Sequence, residues 1–449
     1  MEQPNRVNVT RLIDDHPLSP LQIRVLILCG LVALLDGMDL QMIGLAAPSI
    51  ARMLHVAPRA FGAVFSAALL GLMLGAFILG PMADRLGRKR ILVASTLIFG
   101  VFTIGTALTT SFTALLTIRF LAGVGLGGAM PSFISLASEY VPHRIRPLLV
   151  TVLWAGFPLG GVIGGILASV LIPAAGWQSL FYIGGIAPLA VAAILIVALP
   201  ESLGFLVATN APPDSIRRIV RRISPQAITG TPQTFELGEE RLPGLPVRHL
   251  FTGGRATGTL LLWVPYFMAF LMLVTNSAWS PILLNTTGLG VGQSGIVMAT
   301  FNGGSVIGTL IVGWVISISG PYRVLTVLLA LSALAFGAVG FAAPSFGLVT
   351  LLEGLGGLLL GAGSSGLIAL AAVFYPTAIR SSGVGWATAA GRFGSFTGPL
   401  VVAMLVGQHW NIDNIYLALG APGLCAALFV LLLGLDQTHR AGRAGGAVV

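Results

Sequence analysis

Twelve apolar runs, each of roughly 20 residues or more, dominate the chain, and that is the length a helix needs to cross the hydrocarbon of a bilayer. They read as Leu21–Ala47, Phe61–Ala83, Ile91–Thr109, Phe112–Ala137, Leu148–Leu171, Leu180–Leu199, Thr259–Leu284, Gly295–Ile318, Val324–Ala343, Phe346–Phe374, Gly383–Val406 and Ile415–Leu435. A soluble chain carries about a quarter charged residues, whereas this one carries 9% and is 55% hydrophobic. The fold class expected is an all-α polytopic membrane protein whose twelve transmembrane helices form two six-helix halves. Residues 1–20 form an N-terminal tail, 21–199 the first half, 200–258 a central loop, 259–435 the second half and 436–449 a C-terminal tail. The first tail carries Glu2, Arg6, Arg11, Asp14, Asp15 and His16, unlike the apolar core of a signal peptide.

The net charge of +9 is placed by sidedness rather than by a nucleic-acid footprint. Of the 24 basic residues, Arg52 and Arg59 fall on one set of connections and Arg119 and Arg392 inside spans. All the others fall in the tails, the central loop and the opposite set of connections, among them Arg241. That bias puts both termini in the cytoplasm. In the central loop, "DSIRRIVRRI" spaces Ile216, Ile219, Val220 and Ile223 as one helical face. It reads either as a short amphipathic helix on the inner leaflet, capped by Asp214, or as a solvated basic linker.

The two halves repeat. "RFLAGVGLGGAMPSFISLASEYVPHRIR" from Arg119 and "EGLGGLLLGAGSSGLIALAAVFYPTAIR" from Glu353 align at an offset of 234, matching Gly123, Gly127, Pro142 and Arg146 to Gly357, Gly361, Pro376 and Arg380. Six spans is an even number, so the copies are parallel, with a binding site expected at their midplane interface. Between spans two and three lies "GPMADRLGRKR", Gly80 to Arg90. Gly80 and Gly87 allow helix ends to pack closely and turn, while Asp84, Arg85 and Arg88 supply charges for a gate that forms and breaks in each cycle. Its repeat, "GWVISISGPYR", has Ser317 where Asp84 stands and Ile318 where Arg85 stands. In these features the chain resembles the major facilitator superfamily.

Two acids interrupt the first span: Asp36 and Asp39 in "LLDGMDLQ". An ionised side chain at bilayer centre costs on the order of 2.5–3.5 kcal/mol, so a function or a partner is required. Three residues apart, the acids lie about 60° apart on one helix face and are expected to share a cavity, and a proton, between them. Arg119 falls at a similar depth to Asp39 and can pair with it. Arg392 lies near the midplane with no obvious carboxylate. It reads as an anchor for an anion, or alternatively as a structural partner of Glu353 or of helix-end carbonyls. No histidine lies deep in a span, so a proton relay must use carboxylates: Asp36, Asp39 and Glu139. A ring-bearing substrate would use Arg392 and Arg119 together with Trp386, Asn276, Asn302 and Tyr266, set among Trp263, Phe267, Trp279, Phe301 and Phe393. The other reading of these aromatics is packing against lipid. Cys29 and Cys425 lie in spans, and no spacing suits a disulfide framework or a metal.

The same stretches, with "SEYVPHRIR", "PESLGFL" and "GVGWATAAGRFGSFTGP", narrow the resemblance to the aromatic acid:proton symporter family. That resemblance implies import of a hydroxybenzoate- or hydroxyphenylpropionate-type carboxylate by proton symport. It implies coupling through Asp36 and Asp39, Asp84 as the loop acid, and Arg119 and Arg392 as family arginines. The expected partners are the aromatic acid, protons and the lipid bilayer, with no nucleic acid, no cofactor and a monomeric state. Two rivals remain. One is a proton-antiport exporter, for which "GFPLGG" at Gly156–Gly161 is a partial signature; the other is a non-transporting sensor on the same scaffold. Lys89 is the single lysine among the 24 basic residues, which suggests a GC-rich bacterium and its inner membrane.

Overall fold

The structure is a computed structural model that describes residues 6–209, 211–224, 234–236, 248–252, 255–343, 345–376 and 379–445. Arg241 lies outside the described residues. Among the described residues, twelve helices are long and apolar enough to cross a membrane. In the first half they are α2 (Pro20–Leu54), α3 (Phe61–Leu86), α4 (Arg88–Ala107), α5 (Phe112–Glu139), α6 (Arg146–Ala175) and α7 (Trp177–Ala198). In the second half they are α10 (Ala256–Thr286), α11 (Val291–Ser319), α12 (Pro321–Ala342), α13 (Phe346–Phe374), α14 (Arg380–Gly407) and α15 (Ile412–Gly445). Short helices α1 (Val9–Asp14), α8 (Leu203–Ala208) and α9 (Pro213–Ile223) flank them. Most membrane helices extend a turn or so beyond the apolar runs, because polar and charged residues continue the hydrogen-bonded ladder after the apolar stretch ends. Lipid-facing side chains remain uncovered, with Phe77 and Val197 80% and 87% exposed.

Close packing follows the repeat. In the first half, a Cβ on Gly123 or Gly127 of α5 would overlap the backbone of Ala68 or Leu72 in α3. In the second, a Cβ on Gly357 or Gly361 of α13 would overlap Phe301 or Ser305 in α11. Small residues let helices approach to backbone contact, the main source of helix association where lipid is as apolar as the side chains. The aligned glycines thus build one helix pair twice.

Successive spans alternate in direction, so both tails and the central segment emerge at one end, here termed the basic face. Packing between the halves involves α2 with α10, α3 with α14, and α6 with α11. The contacts lie toward the opposite, far face. Gly44 abuts Ser277 and Ala278, Gly62 abuts Ala403, and Gly165 abuts Gly295. Ser66 Oγ donates to the Phe396 carbonyl across the halves at 3.2 Å.

The basic face adds one feature and corrects one expectation. The tail is folded onto the protein. Arg6–Asn8 (β1) pairs in parallel with Thr234–Glu236 (β2), a small exception to the all-α reading, and Leu12 and Ile13 of α1 are buried. Helix α9 forms as expected, but Pro212 is its N-cap residue, without a side-chain cap, and Asp214 sits in the first turn, paired with Arg217 at 3.3 Å. Its apolar side chains Ile216, Val220 and Ile223 are buried in a cluster with Leu12, Leu21, Val25 and Leu203, so the protein itself, not the leaflet, covers that face.

Candidate functional site

Where the halves meet lies a cavity lined from both of them. From the first half come Asp36, Gln41, Phe65, Met130, Trp154 and Phe157, and from the second Phe270, Asn302, Ser305, Thr388, Arg392 and Ser395. Gly37 decides how α2 presents its acids. A Cβ there would overlap the backbone of Phe157, so α2 and α6 touch at this turn, as they do again at Gly160 against Leu34. With α2 held in that rotation, Asp36 lines the cavity and Asp39 does not. The expectation of one shared cavity is therefore corrected, because a 60° separation is enough to put the two carboxylates on different sides of a packed seam.

Asp39 is fully buried. Arg119 Nη2 donates to its Oδ2 at 2.8 Å, Arg119 Nη1 to its Oδ1 at 3.3 Å and Thr103 Oγ1 to Oδ1 at 2.5 Å. The bidentate pair, with the hydroxyl, satisfies both carboxylate oxygens. Asp36 is 3% exposed, and its Oδ1 has no hydrogen-bond partner. Arg392 lines the same cavity. Arg392 Nη2 itself donates to the Met130 sulfur across the halves at 2.7 Å, a weak acceptor for a guanidinium. Among the described residues, the cavity thus holds a carboxyl lacking a full set of partners and a cation without a strong acceptor.

Its walls are aromatic. Trp154 and Phe270 meet edge to face, ring centroids 6.0 Å apart, with one ring from each half. Above them Gln41 and Asn302 form a reciprocal amide pair: Gln41 Nε2 donates to Asn302 Oδ1 at 2.6 Å and Asn302 Nδ2 to Gln41 Oε1 at 3.0 Å.

Of the residues expected to touch a substrate, Arg392 and Asn302 line this cavity, while Arg119, Trp386, Asn276 and Tyr266 do not. Trp386 stacks on Trp263 at 6.0 Å. Tyr266 is buried, its hydroxyl donating to the Leu367 carbonyl at 3.1 Å. Asn276 Nδ2 donates to Glu353 at 2.8 Å, in a buried cluster with Ser280 and Tyr416, so Glu353 is not the partner of Arg392. Phe65, Phe157, Trp154 and Phe270 carried no signal in the sequence, since aromatics recur throughout the spans. Gln41 did carry one, as an amide two residues beyond Asp39.

Glu139 lies at the basic face rather than in the cavity. It forms an ion pair with Arg88 and accepts from Ser202 Oγ at 2.6 Å and from the Gly204 amide at 3.2 Å. Arg88 also reaches Asp84 at 3.3 Å, and Arg85 is exposed. Gly87 turns the chain at φ 105°, a conformation side chains rarely adopt, whereas a Cβ on Gly80 would meet only Pro131 at an ordinary 3.9 Å. The close packing expected of Gly80 is thus absent in this arrangement. In the second copy Gly320 makes the same kind of turn at φ 78°, and Ser317 bonds only to its own helix, to the Trp314 carbonyl at 2.7 Å. The turn has been kept and the charge lost.

Comparison with known proteins agrees with this architecture. The 4-hydroxybenzoate transporter PcaK of Pseudomonas aeruginosa is 38% identical over 97% of this chain and 98% of its own length. The gallate transporter of Pseudomonas putida is 34% identical over 95% of each chain. The 3-(3-hydroxy-phenyl)propionate transporter of Escherichia coli is 35% identical over 92% of this chain and 94% of its own. Among solved structures, a D-xylose-proton symporter superposes with a TM-score of 0.70 at 18% identity, covering 91% of this chain and 97% of that one. A bacterial homologue of the lysosomal transporter Spinster, solved inward-facing and unoccupied, gives 0.68 at 18% identity over 92% and 95%. The profile of the Major Facilitator Superfamily matches residues 29–290 and 262–447, which together cover both halves, and with full-length relatives above 30% identity the chain belongs to that superfamily.

Proposed function

We propose that this protein imports an aromatic carboxylate of the hydroxybenzoate or hydroxyphenylpropionate type by proton symport, in a bacterial inner membrane with both termini in the cytoplasm. The observation that carries the reading is the pairing, in one aromatic cavity, of an incompletely bonded Asp36 with Arg392. A guanidinium fork suits a carboxylate in two parallel hydrogen bonds, so the substrate anion displaces the Met130 sulfur as its acceptor. An ionised Asp36 beside that anion would put two negative charges on one cation in a low-dielectric site. A proton on Asp36 removes the repulsion, and substrate and proton therefore load together. The ring packs against Phe65, Trp154, Phe157 and Phe270, and the Gln41–Asn302 amides offer both donors and acceptors to a ring hydroxyl. Asp39 is a positioning residue in this scheme, fixing Arg119 and the rotation of α2.

The coupling has an electrical motive. An anion entering a negative interior is opposed by about 2.3 kcal/mol per 100 mV, and a proton travelling with it cancels that charge. With both termini in the cytoplasm, the inter-half packing at the far face supports an inward-facing reading of the present arrangement. Rocking of the halves would break those contacts and close the basic face through the loop carrying Asp84 and Arg88.

The test is uptake of labelled 4-hydroxybenzoate, gallate and 3-(3-hydroxyphenyl)propionate into proteoliposomes at two external pH values, with a pH dye outside. Accumulation that steepens at lower external pH, with protons disappearing from the medium on substrate addition, is expected. Proton release into the medium would identify an antiport exporter, and binding without accumulation a sensor.

A further inference from the structure

Helix α9 has three arginines, Arg218, Arg221 and Arg222, that are exposed. Arg218 and Arg222 are four residues apart and stand on the rim of a groove of about 260 Å³ at the basic face. Leu21, Pro200, Glu201, Leu206, Ser215 and Ile219 complete its lining. The groove therefore has an apolar floor, a hydroxyl and two guanidiniums. Its one acid is already engaged, since Glu201 Oε1 accepts from the backbone amides of Lys89 and Ser202, both at 2.9 Å.

The depth of the groove identifies what it meets. Leu21 is the second residue of α2, and Pro200 and Glu201 follow the C-cap residue Leu199 of α7, so the groove sits where two spans leave the hydrocarbon. The adjoining turns of those spans present uncovered apolar side chains, with Ile23 and Ile27 on α2 45% and 58% exposed and Ile194 and Val197 on α7 48% and 87% exposed. The cations are thus continuous with a surface for acyl chains, which matches an amphiphile and not a free anion. Because α9 buries its own apolar face in the protein, its arginines are held in place instead of floating with the leaflet.

We propose that this groove, formed by α2, α8 and α9, is a binding site for the headgroup of an anionic phospholipid of the cytoplasmic leaflet. Arg218 and Arg222 hold the phosphodiester as a forked pair, Ser215 donates to a remaining oxygen, and one acyl chain lies along α2 or α7. Lipid in the groove ties the central segment to the ends of α2 and α7, on the half that carries the Arg88–Glu139 contact.

The full-length protein in nanodiscs of mixed phosphatidylglycerol and phosphatidylcholine with identical acyl chains, examined by native mass spectrometry, provides the test. Wild-type protein is expected to retain phosphatidylglycerol preferentially. Arg218→Gln/Arg222→Gln should reduce that preference about 30-fold, since each basic residue near an anionic surface contributes about fivefold and the two factors multiply. The charge-matched Arg221→Gln/Arg248→Gln, outside the groove, should leave most of it. Equal losses in the two variants would mean diffuse surface charge and overturn the site. Displacement by millimolar soluble glycerol phosphate would mean a free-phosphate site and overturn the lipid assignment. If the groove variant does not fold, wild-type protein labelled with a photoactivatable phosphatidylglycerol decides the matter: crosslinks at residues 203–224 are expected, and labelling confined to other segments would refute the proposal.

Discussion

Asp36 and Asp39 are three residues apart, yet they predict opposite phenotypes. Asp36→Asn removes a carboxyl that lacks a full set of partners. Its thermal unfolding midpoint in detergent should match that of the parent, while uptake loses its dependence on external pH. Asp39→Asn leaves the fully buried Arg119 without its counter-charge, and breaking a buried pair costs about 3–5 kcal/mol. That variant should be destabilised in the same unfolding assay, with low yield as well as low transport. Arg392→Lys keeps the charge and loses the fork, so the KM for the aromatic acid should rise about tenfold or more with binding measured directly. The sequence announced these four ionisable residues, because a charged residue type inside an apolar run is visible without any structure. It did not say which acid faces the cavity, because that depends on the rotation of α2, set by the contact of Gly37 with Phe157.

At the scale of elements, the repeated glycines carry the packing. Gly127→Val in α5 and Gly361→Val in α13 each drive a side chain into a neighbouring backbone. Each should cost about 3 kcal/mol or more, read as a lower unfolding midpoint, and the two losses should be alike because the helix pairs are copies. Helix α1 offers a gentler test. Asp14 accepts the His143 amide and faces His143 Nδ1, both at 2.7 Å. Partial burial raises the Asp14 pKa, but these hydrogen bonds and the charges of His143 and Arg146 outweigh it, leaving it below its ordinary 3.8. A depressed carboxylate stabilises the fold above its unfolded pKa and loses that contribution as pH falls through the folded one. Protection of residues 9–14 against amide exchange, taken relative to the intrinsic rate at each pH, should therefore be high at neutral pH and fall only on strong acidification, and Asp14→Asn should show the lower protection at neutral pH. The periodicity of α9 was legible in the sequence, but its covering was not. Leu12, Leu21 and Leu203, which bury its apolar face, come from three separate segments.

For the molecule as a whole, the far-face seal is the feature that transport must break. Gly62 in α3 stands against Ala403 in α14. On the same face a Cβ on Gly407 would lie 3.5 Å from the Arg59 side chain, so with Cys29 and Cys425 replaced by serine, Arg59→Cys/Gly407→Cys joined by a short reducible bis-methanethiosulfonate linker should stop uptake and recover it on reduction. Crosslinked protein that still accumulates substrate would refute the rocking scheme. The parallel repeat makes that scheme geometrically natural, since two similar bodies meet along α2–α10, α3–α14 and α6–α11 with the cavity between them.

What one-dimensional order could determine, it did: the number of spans, their two-fold repetition, the face that carries the basic charge, and the identities of the ionised residues inside the bilayer. Each follows from hydrophobic run length or from the position of a charge, quantities that need no neighbour. The remaining facts belong to the tertiary structure: the separation of Asp36 from Asp39, the choice of Phe65, Trp154, Phe157 and Phe270 as cavity walls, the placing of Glu139 at the basic face, and the closed far side. Helices apolar all round carry little record of which face is inward, and only the glycine contacts between distant segments fix their rotation.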